Sequence, residues 1–284
     1  MTIKELKLYF INQLTSIHES NEIESFFFII AEYLHNLKRI DIALQSDLEI
    51  LDIDFEKWKA IIADLQREKP IQYITGETWF YGLPFEVNEN TLIPRPETEE
   101  LVEWILDTQK DKAKSRILSI LDIGTGTGCI PIAIKSNLPG ANVAAIDVSE
   151  KALETAKRNA KSNEVDVHFM LKNILETENL EQQFDVIVSN PPYVRNLEKV
   201  EIKKNVLDFE PHLALFVEDD DALLFYRKIA QLALQNLASD GQLFFEINQY
   251  LGPDTVQMLE NLGFNNIELR QDFKGNDRMI ACTL

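Results

Sequence analysis

The chain has 284 residues, 45% of them hydrophobic and 26% charged, which is room for two domains with cores of their own. No apolar run approaches the ~18 residues that span a bilayer, the start Met1-Thr2-Ile3-Lys4-Glu5-Leu6 lacks a signal-peptide pattern, and two cysteines (Cys129 and Cys282) suggest no disulfide framework, so the expected compartment is the cytoplasm. A formal net charge of −19 opposes a phosphate backbone and directs expectation to a protein or small-molecule partner.

Residues 1–75 read as a small helical bundle. Thr2 and Glu5 form a capping-box pair ahead of a first helix that carries Ile3, Leu6, Phe10 and Leu14 on one face. A second helix places Ile23, Phe26, Phe27, Ile30 and Leu34 on a buried stripe. After a short piece at 46–51, Asp54 is the expected N-cap of a helix bearing Phe55, Trp58, Ile61, Ile62 and Leu65, which Glu68-Lys69-Pro70 stops. These aromatics read as bundle core. Residues 76–95 are an expected hairpin linker, broken by Gly82, Pro84 and Pro94. Pro96 then opens a helix with acidic residues in its first turn. Over 96–284, short apolar strands are expected at 117–123, 143–146, 167–171, 184–188, 242–247 and 279–283, with helices between most of them, for instance at 150–162 and 222–237. Such alternation predicts an α/β, Rossmann-like domain with a mostly parallel sheet.

The first of these strands ends in Gly124-Thr125-Gly126-Thr127-Gly128. Glycines there allow positive φ and close approach of backbone to a ligand. The last position of the dinucleotide pattern G-x-G-x-x-G falls on Cys129, so a ligand without phosphates, such as S-adenosylmethionine, fits better than a dinucleotide. Asp147 ends the second strand, where a carboxylate can accept from both ribose hydroxyls; the competing reading is a cap for the helix that begins near Ser149.

The fourth strand runs into Asn190-Pro191-Pro192-Tyr193. The prolines stiffen the turn and leave free carbonyl oxygens. An amide or aryl-amine nitrogen is a poor nucleophile because its lone pair is delocalised. The Asn190 side-chain oxygen and the Pro191 carbonyl can accept both N–H bonds of such a group, aim it at a methyl donor and stabilise the positive charge that develops. Tyr193 is expected to stack on the planar group and exclude water. The predicted chemistry is methyl transfer to a planar –NH2 nitrogen by positioning and electrostatics, with no strong general base. His18, His35, His168 and His212 have no ligand spacing with the cysteines, so no metal is expected.

These residues resemble the HemK/PrmC family, the release factor glutamine methyltransferases. The likeness extends through Pro70-Ile71-Gln72-Tyr73-Ile74-Thr75-Gly76, Phe80-Tyr81-Gly82-Leu83, Phe209-Glu210-Pro211 and Gly275-Asn276-Asp277-Arg278. Its most diagnostic stretch is Leu92-Ile93-Pro94-Arg95-Pro96-Glu97-Thr98-Glu99. The resemblance implies a seven-stranded methyltransferase sheet behind a helical N-terminal domain that helps dock the substrate. It implies S-adenosylmethionine held by Gly124, Thr125, Gly126, Thr127, Gly128 and Asp147, with Asn190 close to both ligands. It further implies a substrate amide held by Asn190, Pro191, Pro192 and Tyr193: the glutamine of the Gly-Gly-Gln loop of class I peptide-chain release factors. Arg95 and Glu97 would lie near the mouth of the site. Two positions depart from the pattern. Asn173 stands where many relatives carry an acid near the adenine, and 217–222 reads Val-Glu-Asp-Asp-Asp-Ala where many have glycines. The main rival is a DNA adenine-N6 methyltransferase, which would flip its base and grip phosphates; the charge opposes it. A cofactor-binding scaffold without turnover and a nucleotide-dependent dehydrogenase are the remaining rivals.

Overall fold

The computed structural model describes residues 1–45 and 47–284; Ser46, in the connection expected at 46–51, lies outside the described residues. Chain contacts separate two units, Met1–Gly76 with Lys203–Phe209, and Glu77–Ile202 with Glu210–Leu284. Residues 77–95, read from sequence as a linker, thus belong to the second unit, and a short helix from far along the chain joins the first.

In the first unit the apolar stripes find one another. The helix Ile3–Leu14 buries Ile3, Leu6, Phe10 and Leu14 behind a capping box in which Thr2 and Glu5 satisfy each other's backbone N–H. Phe10 and Phe27 pack on Trp58, with ring centroids 5.7 and 5.1 Å from it. A buried indole N–H needs an acceptor, and Trp58 Nε1 donates to His35 Nε2 at 2.9 Å. Burial holds the His35 ring below the ordinary histidine range, which favours the neutral ring with a free acceptor. Asp54, expected as an N-cap, lies inside a helix that starts at Asp52 with Leu51 as N-cap. Asp54 lies in its first turn, where the helix dipole favours an acid, and pairs with Lys57 at 2.8 Å.

The second unit begins with a hairpin, β1 (Glu77–Phe80) and β2 (Leu83–Glu86). The helix Pro96–Ser115 follows, and then β3 (Ser119–Ile123), β4 (Asn142–Asp147), β5 (His168–Leu171) and β6 (Phe184–Ser189). A two-stranded patch pairs β7 (Val194–Arg195) with β8 (Phe216–Val217). The chain ends in β9 (Leu237–Glu246), β10 (Asn265–Gln271) and β11 (Asp277–Thr283). Seven strands form one sheet in the order β10-β11-β9-β6-β3-β4-β5. β11 is antiparallel to both neighbours and the other pairings are parallel.

Helices cover both faces, so the central strands bury both sets of side chains: Ile120, Val186 and Val188 join one core cluster, Leu121, Ile123 and Ile187 the other. β10, absent from the sequence-based expectation, is the edge strand and mostly exposed, with Ile267 and Leu269 half-buried. β9 starts at Leu237, earlier than expected. Gly241 makes that extension possible, since a Cβ there would lie 2.9 Å from the Phe184 carbonyl of β6. No helix among the described residues is long and apolar enough to cross a membrane.

β3 has β4 on one side and β6 on the other, so the chain reverses direction across the sheet between β3 and β6. Open α/β sheets bind ligands in the crevice outside the carboxyl ends of strands at such a switch point.

Candidate active site

A cavity of about 240 Å³ opens at that switch point. Its walls come from the carboxyl ends of four strands and from two loops that cross above them. Ile123, Gly124 and Gly126 follow β3, Asp147 and Val148 follow β4, Asn173 and Ile174 follow β5, and Ser189 to Pro192 follow β6. Glu89 to Leu92 and Pro211, Leu213 and Ala214 complete the enclosure.

Local hydrogen bonds set this geometry. The N–H groups of Gly124 and Thr125 both donate to the Ile146 carbonyl, at 2.9 and 3.0 Å, bending the turn over β4. Ser189 Oγ donates to the Ile123 carbonyl at 2.6 Å, fastening the end of β6 to that of β3. Gly124, Gly126 and Gly128 all have φ between 54° and 80°, the left-handed region that favours glycine. An added Cβ on Gly128 would also meet Ile132 at 3.0 Å and Ala156 at 3.1 Å.

Asp147 is anchored twice. Its Oδ2 accepts the Gly126 N–H and its Oδ1 the Ser149 N–H, both at 2.8 Å. The cap of the helix Glu150–Ser162 is Ser149, whose hydroxyl accepts from Ala152 N–H at 3.2 Å. The helix therefore does not need Asp147 as its cap. Each carboxylate oxygen retains a lone pair for a ligand. Burial pushes the Asp147 carboxyl above its ordinary range, and the Ser149 and Gly126 N–H groups draw it back. This polar anchor beside a glycine cradle and apolar walls fits a nucleoside-sized cofactor.

Not every expected site residue reaches the wall. Gly124, Gly126, Asp147, Asn190, Pro191 and Pro192 line the cavity. Thr125, Thr127 and Gly128 lie behind it and shape the turn; the Thr127 carbonyl accepts from Asn159 Nδ2 at 2.9 Å. Tyr193, expected to stack on the substrate, does not line the cavity. Its ring packs against a core cluster, its hydroxyl donates to Glu246 Oε1 at 3.2 Å, and its carbonyl accepts from Asn248 Nδ2 at 3.0 Å. A phenol O–H in apolar surroundings needs an acceptor, and Glu246 supplies it.

The 92–99 segment joins the walls. The Ile93 N–H donates to Glu210 Oε2 at 3.1 Å, and Arg95 forms an ion pair with the same buried carboxylate. The loop at 89–95 is thereby clasped to the one that begins at Glu210. Glu97 pairs with Lys274 at 2.5 Å, away from the cavity wall. Thr98 donates to Glu246 at 2.6 Å, and the Asn190 amide nitrogen lies 3.5 Å from Thr98 Oγ1. Asn173 does reach the cavity, with its Oδ1 committed to the Leu175 N–H at 3.1 Å and its amide N–H groups free to donate. The acidic 217–222 stretch is held by its own charges. Asp219 accepts from Leu197 N–H, and Asp221 pairs with Arg227 at 2.9 Å. Thr98 and Glu246 were missed from sequence as members of the site because they lie 92 and 56 residues from Asn190 along the chain.

Behind the turn, Asp122 is fully buried, and the Thr125 hydroxyl and Ile123 N–H near it draw its carboxyl down less than burial raises it. Burial pushes its carboxyl up to about 7. Between about pH 4 and that value the unfolded chain releases this proton while the folded protein keeps it, so stability falls as pH rises through the window. Asp122→Asn removes the ionisation, so in the cofactor-free protein its melting midpoint relative to the native chain should be higher at about pH 8 than at about pH 5. An equal difference at the two pH values, read by circular dichroism, would show that Asp122 is not held protonated.

A glycine cradle, an acid after the second parallel strand and an Asn-Pro-Pro loop at one switch point define the class of methyltransferases. A family model described as "Methyltransferase small domain" matches residues 103–209. The fold recurs in a methyltransferase from Pyrococcus furiosus (TM-score 0.51, 18% identity, 80% of this chain and 97% of that one). It recurs also in the hMettl16 catalytic domain in complex with MAT2A 3′UTR hairpin 6 (TM-score 0.56, 18% identity, 72% and 76%). A second family model, "PrmC N-terminal domain", matches residues 8–76. The release factor glutamine methyltransferase of Flavobacterium psychrophilum is 61% identical over 99% of this chain and 98% of its own length; that of Bacteroides thetaiotaomicron is 38% identical over 98% and 99%. The chain belongs to the HemK/PrmC family, the release factor glutamine methyltransferases.

Proposed function

We propose that this enzyme transfers a methyl group from S-adenosylmethionine to the side-chain amide nitrogen of the glutamine in the Gly-Gly-Gln loop of class I release factors. The observation that carries the reading is the sharing of one cavity. Asn190 and Pro191 line the same space as Gly124, Gly126 and Asp147, so an acceptor nitrogen and a bound cofactor meet there.

S-adenosylmethionine supplies an electrophilic methyl on a sulfonium, which leaves as a neutral thioether when the new N–CH3 bond forms. The chain's part is placement. Asp147 would accept from the ribose hydroxyls, the glycine turn would admit the cofactor against backbone, and Asn173 would offer N–H donors to the adenine ring. The Asn190 side-chain oxygen and Pro191 carbonyl accept the two amide N–H bonds and face the positive charge that develops on nitrogen. Pro192 stiffens the loop, and Tyr193 holds it from beneath through Glu246. The methylated nitrogen then releases one proton to return to a neutral amide, which solvent at the mouth can accept.

The net charge of −19 disfavours the competing DNA adenine substrate. Incubation with methyl-labelled S-adenosylmethionine and either a purified class I release factor or duplex DNA separates the two. Label is expected on the release factor glutamine; label on DNA alone overturns the assignment.

A further inference from the structure

Thr98 and Glu246 are buried and stand outside the cavity wall; Thr98 contacts Asn190, and Glu246 contacts Thr98. Glu246 ends β9 and receives two hydroxyl donors, Thr98 Oγ1 at 2.6 Å and Tyr193 Oη at 3.2 Å. Burial raises the Glu246 carboxyl, while the Thr98 and Tyr193 hydroxyls and the Arg278 charge draw it back; in its ionised form it has acceptors only, so both hydroxyl protons point at it. The shorter contact is in the range of a charge-assisted O–H···O⁻ bond. With its proton so committed, Thr98 Oγ1 can only accept from its other neighbour, the Asn190 side chain. An amide facing an acceptor must turn its NH2 toward it. The Asn190 carbonyl oxygen is then left on the opposite side of the amide.

We propose that Thr98 is a positioning residue, oriented by Glu246, that fixes the flip of the Asn190 amide so that its oxygen is presented to the substrate –NH2. The inference deepens the reading given above and rests on it for the identity of the substrate. It also assigns a task to Thr98 of the 92–99 segment, distinct from the Arg95–Glu210 clasp at the mouth. Without the Thr98 acceptor, the Asn190 amide samples both flips, and one of them offers a donor to a donor. The loss appears in the chemical step, because cofactor contacts at Asp147 and the glycine turn are untouched.

Thr98→Val keeps the shape and deletes the hydroxyl, whereas Thr98→Ser keeps it. Two readouts are taken below the melting transition of each protein. The first is kcat and KM with labelled S-adenosylmethionine and the release factor. Val is expected to lower kcat by about tenfold or more, with KM for the cofactor unchanged, and Ser to restore most of the rate. The second is hydrogen exchange of the Asn190 side-chain amide by 15N nuclear magnetic resonance, its signal assigned by its loss in Asn190→Ala. Exchange is expected to be slow in the native chain and in Ser, and faster in Val. Native kcat in the Val variant, a Ser variant as slow as Val, or unchanged amide exchange in Val each overturns the proposal. If the native chain labels no release factor, the substrate assignment fails, and the exchange measurement still decides whether Thr98 holds the amide.

Discussion

Asn190→Ala should lower the rate of release-factor methylation by on the order of 10²-fold or more, while the protein stays folded and still binds cofactor. The acceptor nitrogen is resonance-stabilised, so its attack depends on being aimed and on having the developing charge met by fixed dipoles. In the proposed function Asn190 is one of two acceptors for that nitrogen, and a misplacement of about 1 Å costs catalysis of this order. Its backbone carbonyl also lies near the glycine turn, 4.0 Å from where a Cβ on Gly124 would stand, so the residue touches the region of both ligands. Alanine keeps that backbone and removes the whole carboxamide, both the oxygen that would face the substrate and the NH2 that faces Thr98. The measurement is kcat with labelled cofactor, beside calorimetric cofactor affinity and a melting curve. Near-native turnover would falsify the orienting role.

Asp147→Ala should weaken S-adenosylmethionine binding by on the order of 10²-fold or more. A hydrogen bond to a charged group contributes about 1.5–3 kcal/mol, and two ribose contacts are lost together. The same carboxylate also holds the Gly126 and Ser149 N–H groups, so its removal loosens the cradle itself. Titration calorimetry reads the affinity, and the melting midpoint of the cofactor-free variant reads the loss of the anchor. Unchanged affinity with a lowered midpoint would reduce Asp147 to a brace for the turn.

Local pattern carried much of the fold. The stripe of Ile3, Leu6, Phe10 and Leu14 with its Thr2–Glu5 box predicts a helix that forms as read, because every signal lies within one or two turns of chain. The buried parallel strands β3 and β6 were legible as short, mostly apolar runs, being covered on both faces. β10 was not legible. An edge strand needs few apolar residues, and Asn265-Asn266-Ile267-Glu268-Leu269-Arg270-Gln271 provides only two. The start of the helix at Asp52 also escaped, because an apolar residue, Leu51, stands at its N-cap.

In the candidate site the division is similar. Gly124, Gly126, Asp147, Asn190 and Pro191 were readable because each sits at the end of a recognisable strand, and the parallel order of the sheet brings such ends together. The direction of the Tyr193 ring was not readable, since it depends on a carboxylate 53 residues further along the chain.

The sequence by itself therefore determined the class of chemistry and the local shape of the glycine turn, the strand-end acid and the Asn-Pro-Pro loop, since turn geometry and strand ends are local properties. Only the tertiary structure decided that Tyr193 faces inward, that Arg95 clasps Glu210 and that Thr98 and Glu246 stand behind Asn190. Those contacts join residues from 53 to 148 positions apart, and their partners are chosen by which buried donor must find an acceptor once the sheet has closed.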